Sequence, residues 1–326
     1  CKLPAMARKL DAAFLDFATL GPQIDTSRLE AAATIDYFDF TNAAELEARI
    51  RDRELLIVNK VRLNRAAIGA ASRLRLIALS ATGSDNVDLE AAGARGIAVT
   101  NTRDYCSVSV AQHVFAMVLG LNQHIGAYDG LVRSGAWSRG KSFALFDFPI
   151  RELNGRVLGL VGYGALGKAA AKVGEGLGMR VIVAQRPGTT GPPPAGRVSF
   201  DDLLQQADVL SLHCPLTDAT HHLLGADAFR RMKRSAIVIN TARGALIDRD
   251  ALAAALVAGE IAGAGVDVLP EEPPPATEPL LQRGIPNLIL TPHIAWAALE
   301  SRQRALDQVA ENVEAYLRGE CLRRLV

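Results

Sequence analysis

The sequence predicts an α/β fold built from two doubly wound parallel-sheet domains, on three observations. Strand-like apolar runs alternate with helix-like runs from end to end, the pattern of parallel strands joined by crossover helices. At 326 residues the chain has the length of about two domains. In mid-chain a glycine-rich turn, Gly162-Tyr163-Gly164-Ala165-Leu166-Gly167, directly follows the apolar run 157–161 and opens a helical pattern.

Taken in order, the first strands are expected near 14–15, 35–38, 55–58, 76–79 and 98–99, with helices over 43–53 and 64–72 between them. A second series of strands is expected at 157–161, 181–184, 209–212, 236–239, 262–266 and 288–290. Ser199-Phe200-Asp201-Asp202 reads as a capping box opening the helix before Asp208. Two longer helical patterns stand outside this rhythm: Ser107 to about Ile125, and Ala297 to Tyr316 with apolar positions at Leu299, Leu306, Val309, Val313 and Leu317. The second is expected to pack back on the first domain. The first domain is then discontinuous, 1–103 plus 292–326, and 104–291 form a dinucleotide-binding domain. The loop from Thr189 to Gly196, with three prolines, is a surface excursion.

Composition excludes several classes. Nearly half of the residues are apolar and 22% are charged, which is globular. Lys plus Arg (36) balances Asp plus Glu (35), so no bulk field draws the protein to nucleic acid or to an anionic membrane. The four cysteines, Cys1, Cys106, Cys214 and Cys321, show no metal-binding spacing; no metal is expected, and reduced thiols in a cytoplasmic setting are. The apolar stretch Val114 to Leu121 is too short to span a bilayer. Lys2, Arg8 and Lys9 lie near the start, but no apolar core of a secretion signal precedes Asp11 and Asp16.

The turn at 162–167 has the strand–turn–helix context that a dinucleotide-binding motif requires. Gly162 permits the tight turn, Gly164 lets the backbone approach a pyrophosphate, and Gly167 lets the helix sit close to the sheet. Amides at the helix start, near Ala165 and Leu166, then face the phosphates. After the second strand an NAD enzyme usually presents an acidic residue to the ribose 2′-hydroxyl. Gln185 holds that place and Arg186 follows it. No carboxylate repels a 2′-phosphate, so NADP(H) is favoured over NAD(H), although Gln can also bond a ribose hydroxyl.

Three further segments each deliver a polar side chain where a parallel strand should end: Asn240–Gly244, Asp267–Pro273 and Thr291–Trp296. Ligands of open α/β sheets bind at those carboxyl ends. Hydride arriving at a ketone carbon leaves an oxygen that needs a proton, and His293 suits that work. Glu272 is placed to hold one nitrogen of its ring and orient the other, while Glu271 reads as an ordinary turn residue. Arg243 offers a planar fork for a carboxylate. The combination points to hydride transfer on a small 2-keto or 2-hydroxy acid.

These motifs resemble the D-isomer specific 2-hydroxyacid dehydrogenase family. Within it, Thr291–Trp296, 81–88 (Ala-Thr-Gly-Ser-Asp-Asn-Val-Asp) and 107–113 (Ser-Val-Ser-Val-Ala-Gln-His) are similar to the glycerate dehydrogenase, or hydroxypyruvate reductase, branch. The likeness runs from about Phe14 to Tyr316.

The resemblance implies two Rossmann- or flavodoxin-like domains separated by a cleft, and a homodimer. It makes Arg243, Glu272 and His293 the catalytic residues, with His293 as proton donor and acceptor. It places the amides of Thr82 and Gly83 on the substrate carboxylate and Lys60 toward the far end of the substrate. It puts Asp267 against the nicotinamide carboxamide, Cys214, Pro215 and Thr220 on the adenosine side, and Thr241 and Ala242 under the nicotinamide. His293 and Ala295 count among the cofactor-binding residues, and Trp137 and Trp296 are candidate pocket walls. Gln185 is the departure from the family pattern. Related readings are a D-lactate- or phosphoglycerate-type dehydrogenase, for which Lys60 is one obvious phosphate-binding charge, and a nucleotide-sensing corepressor-like protein, whose disordered recruitment tail this sequence does not show.

Overall fold

Short runs of Val, Ile and Leu that are buried at every position form strands covered on both faces, and this chain has many. Examples are Leu55–Val58, Leu76–Leu79, Val157–Val161, Val209–Leu212 and Ile237–Asn240. The computed structural model describes residues 9–282 and 284–326. Cys1, Lys2 and Arg8, on which expectations about the amino terminus rested, lie outside the described residues.

The chain divides into two units, Cys1–Cys106 with Ala297–Val326, and Ser107–Trp296. The first holds a five-stranded parallel sheet of β1 (Leu10–Phe14), β2 (Ala33–Tyr37), β3 (Leu55–Val58), β4 (Leu76–Leu79) and β5 (Ala98–Thr100), in the order β2-β1-β3-β4-β5, which is the flavodoxin-like winding. Strand β1 starts four residues before the expected one. Asp11 interrupts its apolar pattern, and Arg53 neutralises that charge at 2.7 Å. The helix Leu299–Leu317 returns to this unit. It buries Leu306, Val309 and Val313, while Leu299 and Leu317 at its ends are exposed. Arg28 binds Glu314 through two 2.9 Å bonds, which hold the Glu314 carboxyl below its usual range.

The second unit holds a six-stranded sheet: β6 (Val157–Val161), β7 (Arg180–Val183), β8 (Val209–Leu212), β9 (Ile237–Asn240), β10 (Gly263–Val266) and β11 (Leu288–Leu290), in the order β11-β10-β9-β8-β6-β7. A single parallel bridge from Ala184 to Val198 extends it beyond β7. The winding reverses between β6 and β8, which is where such sheets bind ligands. The helix Ser107–Gln123 ends at His124, whose φ of +50° turns the chain into Ile125–Arg133. Ser199 caps Phe200–Gln206 as expected, accepting from the Asp202 amide at 3.0 Å. The Asp202 carboxylate bonds the Ser199 hydroxyl rather than its amide, because Asp is one methylene shorter than the Glu of a full capping box.

Both boundaries fall a few residues beyond the expected cuts at 103/104 and 291/292, for a physical reason. Residues 101–105 are tied to the returning helix: Asn312 donates to the Asn101 carbonyl at 3.0 Å and Arg304 to that of Tyr105 at 2.9 Å. Residues 292–296 instead belong to a turn anchored on Asp267.

Two buried polar groups shape the loops of these sheets. The Asp16 carboxylate, 3% exposed, accepts from the amides of Asn59 (2.9 Å), Lys60 (2.6 Å) and Val61 (2.9 Å). His213 follows β8 with Nε2 3.0 Å from the Ser211 hydroxyl and Nδ1 buried without a partner among the described residues. Burial lowers its pKa to about 4.

An amide cannot replace the Asp16 carboxylate, since its NH2 would face other donors. Asp16→Asn is expected to lower unfolding free energy by roughly 2 kcal/mol, measured by urea titration. For His213 the folded pKa lies below the unfolded value of about 6.5, so the unfolded chain takes up the proton first as pH falls. Its contribution is present above pH 6.5 and is lost on the way down to about 4. From pH 7 to pH 5 this group alone removes roughly 2 kcal/mol. His213→Gln is expected to show a correspondingly shallower loss of stability over that interval.

Candidate active site

The three segments singled out in the sequence follow β9, β10 and β11, which lie side by side and parallel in the second unit, with Val266 level with both Asn240 and Leu290. Their side chains therefore leave the sheet at the same edge.

After β9, buried Asn240 closes a tight turn: its side-chain oxygen accepts from Ala242 N at 3.0 Å and its amide donates to the Arg243 carbonyl at 2.9 Å. Arg243 is extended and exposed, with one Nη donating to the Ala242 carbonyl at 2.8 Å. A Cβ on Gly244 would overlap the backbone of Leu269 and Pro270. Only glycine lets this turn press against the loop that carries Glu272.

Glu272 divides its two oxygens. Oε1 accepts from Leu269 N at 2.9 Å, and Oε2 lies 2.6 Å from His293 Nδ1. A carboxylate can only accept, so Nδ1 carries a proton and donates, and Nε2 lies outside this pair. His293 itself has φ +56°, the left-handed region that a side chain enters only under constraint. The constraint is Asp267, 2% exposed. Its carboxylate accepts from the Thr291 hydroxyl (2.5 Å) and from the amides of Ile294 and Ala295 (2.9 Å each), and its carbonyl accepts from His293 N at 2.8 Å. The Trp296 indole donates to the His293 carbonyl at 2.9 Å. From the helix Ser107–Gln123, Ser109 donates to the Ala295 carbonyl at 2.7 Å and His113 meets the Thr291 hydroxyl at 3.0 Å.

Sequence reasoning passed over Asn240, Ser109 and His113 as site-building residues. The spacing of the last two, four apart on one helical face, was the available signal. Asp267, expected against a nicotinamide carboxamide, accepts here from three donors of the histidine turn. Trp296 serves the turn as well, and Trp137, about half exposed, donates to the Phe143 carbonyl at 3.0 Å.

The glycine-rich turn has the steric form that its sequence implied. Gly162 has φ +97°, and a Cβ there would overlap the His213 carbonyl; a Cβ on Gly167 would overlap the Gly162 carbonyl. Over Gly164, the residue preceding Ala165 and Leu166, no atom of the described residues beyond its own chain neighbours stands within 4 Å of that position. Thr241 Oγ1, at the end of β9, is buried without a partner among the described residues. Open backbone at a helix start and an orphaned hydroxyl at the sheet edge fit a nicotinamide dinucleotide.

Gln185 is half-buried beside exposed Arg186. Cys214 is buried, which pushes its thiol up to about 11. Thr220 is also buried, and its hydroxyl bonds within its own loop, to the Pro215 carbonyl at 2.8 Å and the Thr217 amide at 2.7 Å. It shapes the segment that carries Cys214 and Pro215.

The remaining expected residues lie on the first unit. Thr82 and Gly83 follow β4, in a loop fixed by Asn101 on the Thr82 carbonyl (2.8 Å) and by Thr102 N on the Ala81 carbonyl (3.1 Å). Lys60 lines a cavity of about 580 Å³ with Arg62, Asn64, Asn42 and Glu47; Thr82 and Gly83 are not part of its lining. Among the described residues no three His, Cys, Asp or Glu side chains gather as a metal site would, and no helix is long and apolar enough to cross a membrane.

Residues 115–295 match the family model described as "D-isomer specific 2-hydroxyacid dehydrogenase, NAD binding domain". The chain is 44% identical over 275 residues to a glycerate dehydrogenase of Methylorubrum extorquens, covering 84% of this chain and 86% of that protein. It is 35% identical over 311 residues to a hydroxypyruvate reductase of Blautia hydrogenotrophica, covering 94% and 96%. Among solved structures, an acyclic imino acid reductase in complex with NADPH and D-Arg superposes with a TM-score of 0.83 at 26% identity, covering 97% of this chain and 100% of that one. With an acid–imidazole pair and an arginine at one sheet edge and a dinucleotide turn in the same unit, the chain belongs to the D-isomer specific 2-hydroxyacid dehydrogenase family, alongside its glycerate dehydrogenases and hydroxypyruvate reductases.

Proposed function

We propose that the protein is an NADP(H)-preferring reductase of hydroxypyruvate or glyoxylate, giving D-glycerate or glycolate, with His293 as the proton donor. The observation that carries this reading is the 2.6 Å contact between His293 Nδ1 and Glu272, on a turn that Asp267 holds in a strained conformation.

The nicotinamide supplies the hydride. Arg243 grips the carboxylate of the 2-keto acid and turns a second N–H toward the keto oxygen. Within the first unit, Thr82 and Gly83 carry two backbone amides with no acceptor among the described residues, suited to a carboxylate, and Lys60 is suited to a polar ligand group. As charge builds on the oxygen, His293 delivers the proton from Nε2, and Glu272 keeps the ring in register and stabilises the charged imidazolium. Gln185 and Arg186, in place of an acidic residue, favour a 2′-phosphate on the adenosine ribose.

Two further assignments complete the reading. The segment 125–150 exposes Ile125, Trp137, Phe143 and Phe146, the last two more than 80% exposed. An apolar surface of that kind is suited to a second copy of the chain, so we assign a homodimer. The free thiols of Cys106 and Cys214 accord with a cytoplasmic setting.

The decisive assay follows nicotinamide absorbance with hydroxypyruvate and glyoxylate. NADPH is expected to be consumed with a kcat/KM at least tenfold above that of NADH, and a higher value with NADH would remove the cofactor assignment. His293→Ala is expected to lower kcat by 10²- to 10⁴-fold while NADPH affinity, read by fluorescence titration, stays within about twofold. Retention of most activity would remove the proton donor.

A further inference from the structure

Arg197, the residue after the 189–196 excursion, stands beside the dinucleotide turn. Its guanidinium lies over the Tyr163 ring, 5.3 Å from the centroid, and Nη1 donates to the Ala184 carbonyl at 3.3 Å. Tyr163 belongs to the glycine-rich turn after β6; Ala184 closes the neighbouring strand β7. In a sheet of this winding the residue that meets the adenosine ribose stands after the second of these two strands.

The backbone delivers Arg197 to that spot by a defined route. Val198 forms the single bridge with Ala184: its carbonyl accepts from Gln185 N at 2.8 Å, and its amide donates to the Val183 carbonyl at 3.0 Å. Arg197 N donates to the Pro194 carbonyl at 3.0 Å, closing a turn through Gly196 at φ +77°. The bridge sets Arg197 beside the segment that carries Gln185 and Arg186. Neither Arg186 nor Arg197 has a carboxylate partner among the described residues, although Arg side chains elsewhere in the chain pair freely. Two unneutralised guanidiniums therefore flank the position where an NAD enzyme carries an acid. One of them is half-buried and already braced on a ring and a carbonyl, which lowers the entropy lost on gripping an anion.

We propose that Arg197 is a specificity-determining residue that, with Arg186, binds the 2′-phosphate of the adenosine ribose, Tyr163 and the Ala184 carbonyl fixing its orientation. This rests on the reading of the second unit as a nicotinamide dinucleotide site with NADP(H) preference. A phosphate dianion set against two forked donors accounts for discrimination that Gln185 alone does not supply.

The test is calorimetric titration of the intact protein with 2′,5′-ADP and with 5′-AMP, which share the adenosine and differ in the 2′-phosphate. The unmodified protein is expected to bind 2′,5′-ADP at least tenfold more tightly. Arg197→Ala is expected to erase about tenfold of that preference while 5′-AMP affinity stays within about twofold, which also shows the variant folded. Arg197→Lys, which keeps charge but not the fork, is expected to fall between them. If the unmodified protein prefers 2′,5′-ADP and Arg197→Ala prefers it equally, the role of Arg197 is overturned and the NADP(H) reading stands. If the unmodified protein binds both probes alike, the NADP(H) reading fails and takes the proposal with it.

Discussion

The edge of the second unit that carries His293 and Glu272 depends on one buried carboxylate. Asp267 stands at the end of β10, removed from water, where an unsatisfied charge costs far more than the bonds that satisfy it. Its partners are a hydroxyl and two successive amides of the following strand's loop. To supply those amides the backbone has to double back, and the residue at the bend takes a left-handed conformation that the surroundings must impose. That residue is His293. The imidazole is therefore aimed by the needs of an anion beneath it, and Glu272 has only to meet a ring already in place.

The first unit uses the same device. Asp16, at the end of β1, gathers the amides of Asn59, Lys60 and Val61, fixing a loop after the neighbouring strand. In each sheet a buried aspartate converts an otherwise pliable connection into a rigid one. Glycines complete the arrangement by omission: at Gly162 and Gly244 a methyl group would collide with a second stretch of backbone, so two loops meet that would otherwise be held apart. A preorganised site of this kind loses little order when a substrate arrives.

Much of this was legible in the order of residues. Apolar runs of strand length are a strong local signal, and β3, β4, β6, β8 and β11 fall where they were expected. Arg243, Glu272 and His293 stood out because each lies in a segment that follows such a run, which put the three segments at one edge. What escaped was non-local or double-purposed. The start of β1 was hidden by Asp11, whose charge is cancelled by Arg53 far along the chain. The break at His124 rests on a positive φ that no glycine announces. The three bonds by which Asp267 holds the histidine turn escaped as well, because composition does not reveal which donors a buried carboxylate gathers. Arg197 gave no sign at all, since its position depends on one strand bridge reached across a proline-rich detour.

The returning helix has a consequence for how the chain assembles. All of Ser107–Trp296 is synthesised between the opening sheet and the segment Leu299–Leu317 that covers it. Joining two pieces across so long an unstructured tether would be entropically unfavourable. Once the intervening unit has folded, however, the bond from Ser109 to the Ala295 carbonyl pins its two ends together, and the tether shrinks to a staple. Folding of the intervening unit thus lowers the entropic cost of bringing the returning helix back to the opening sheet.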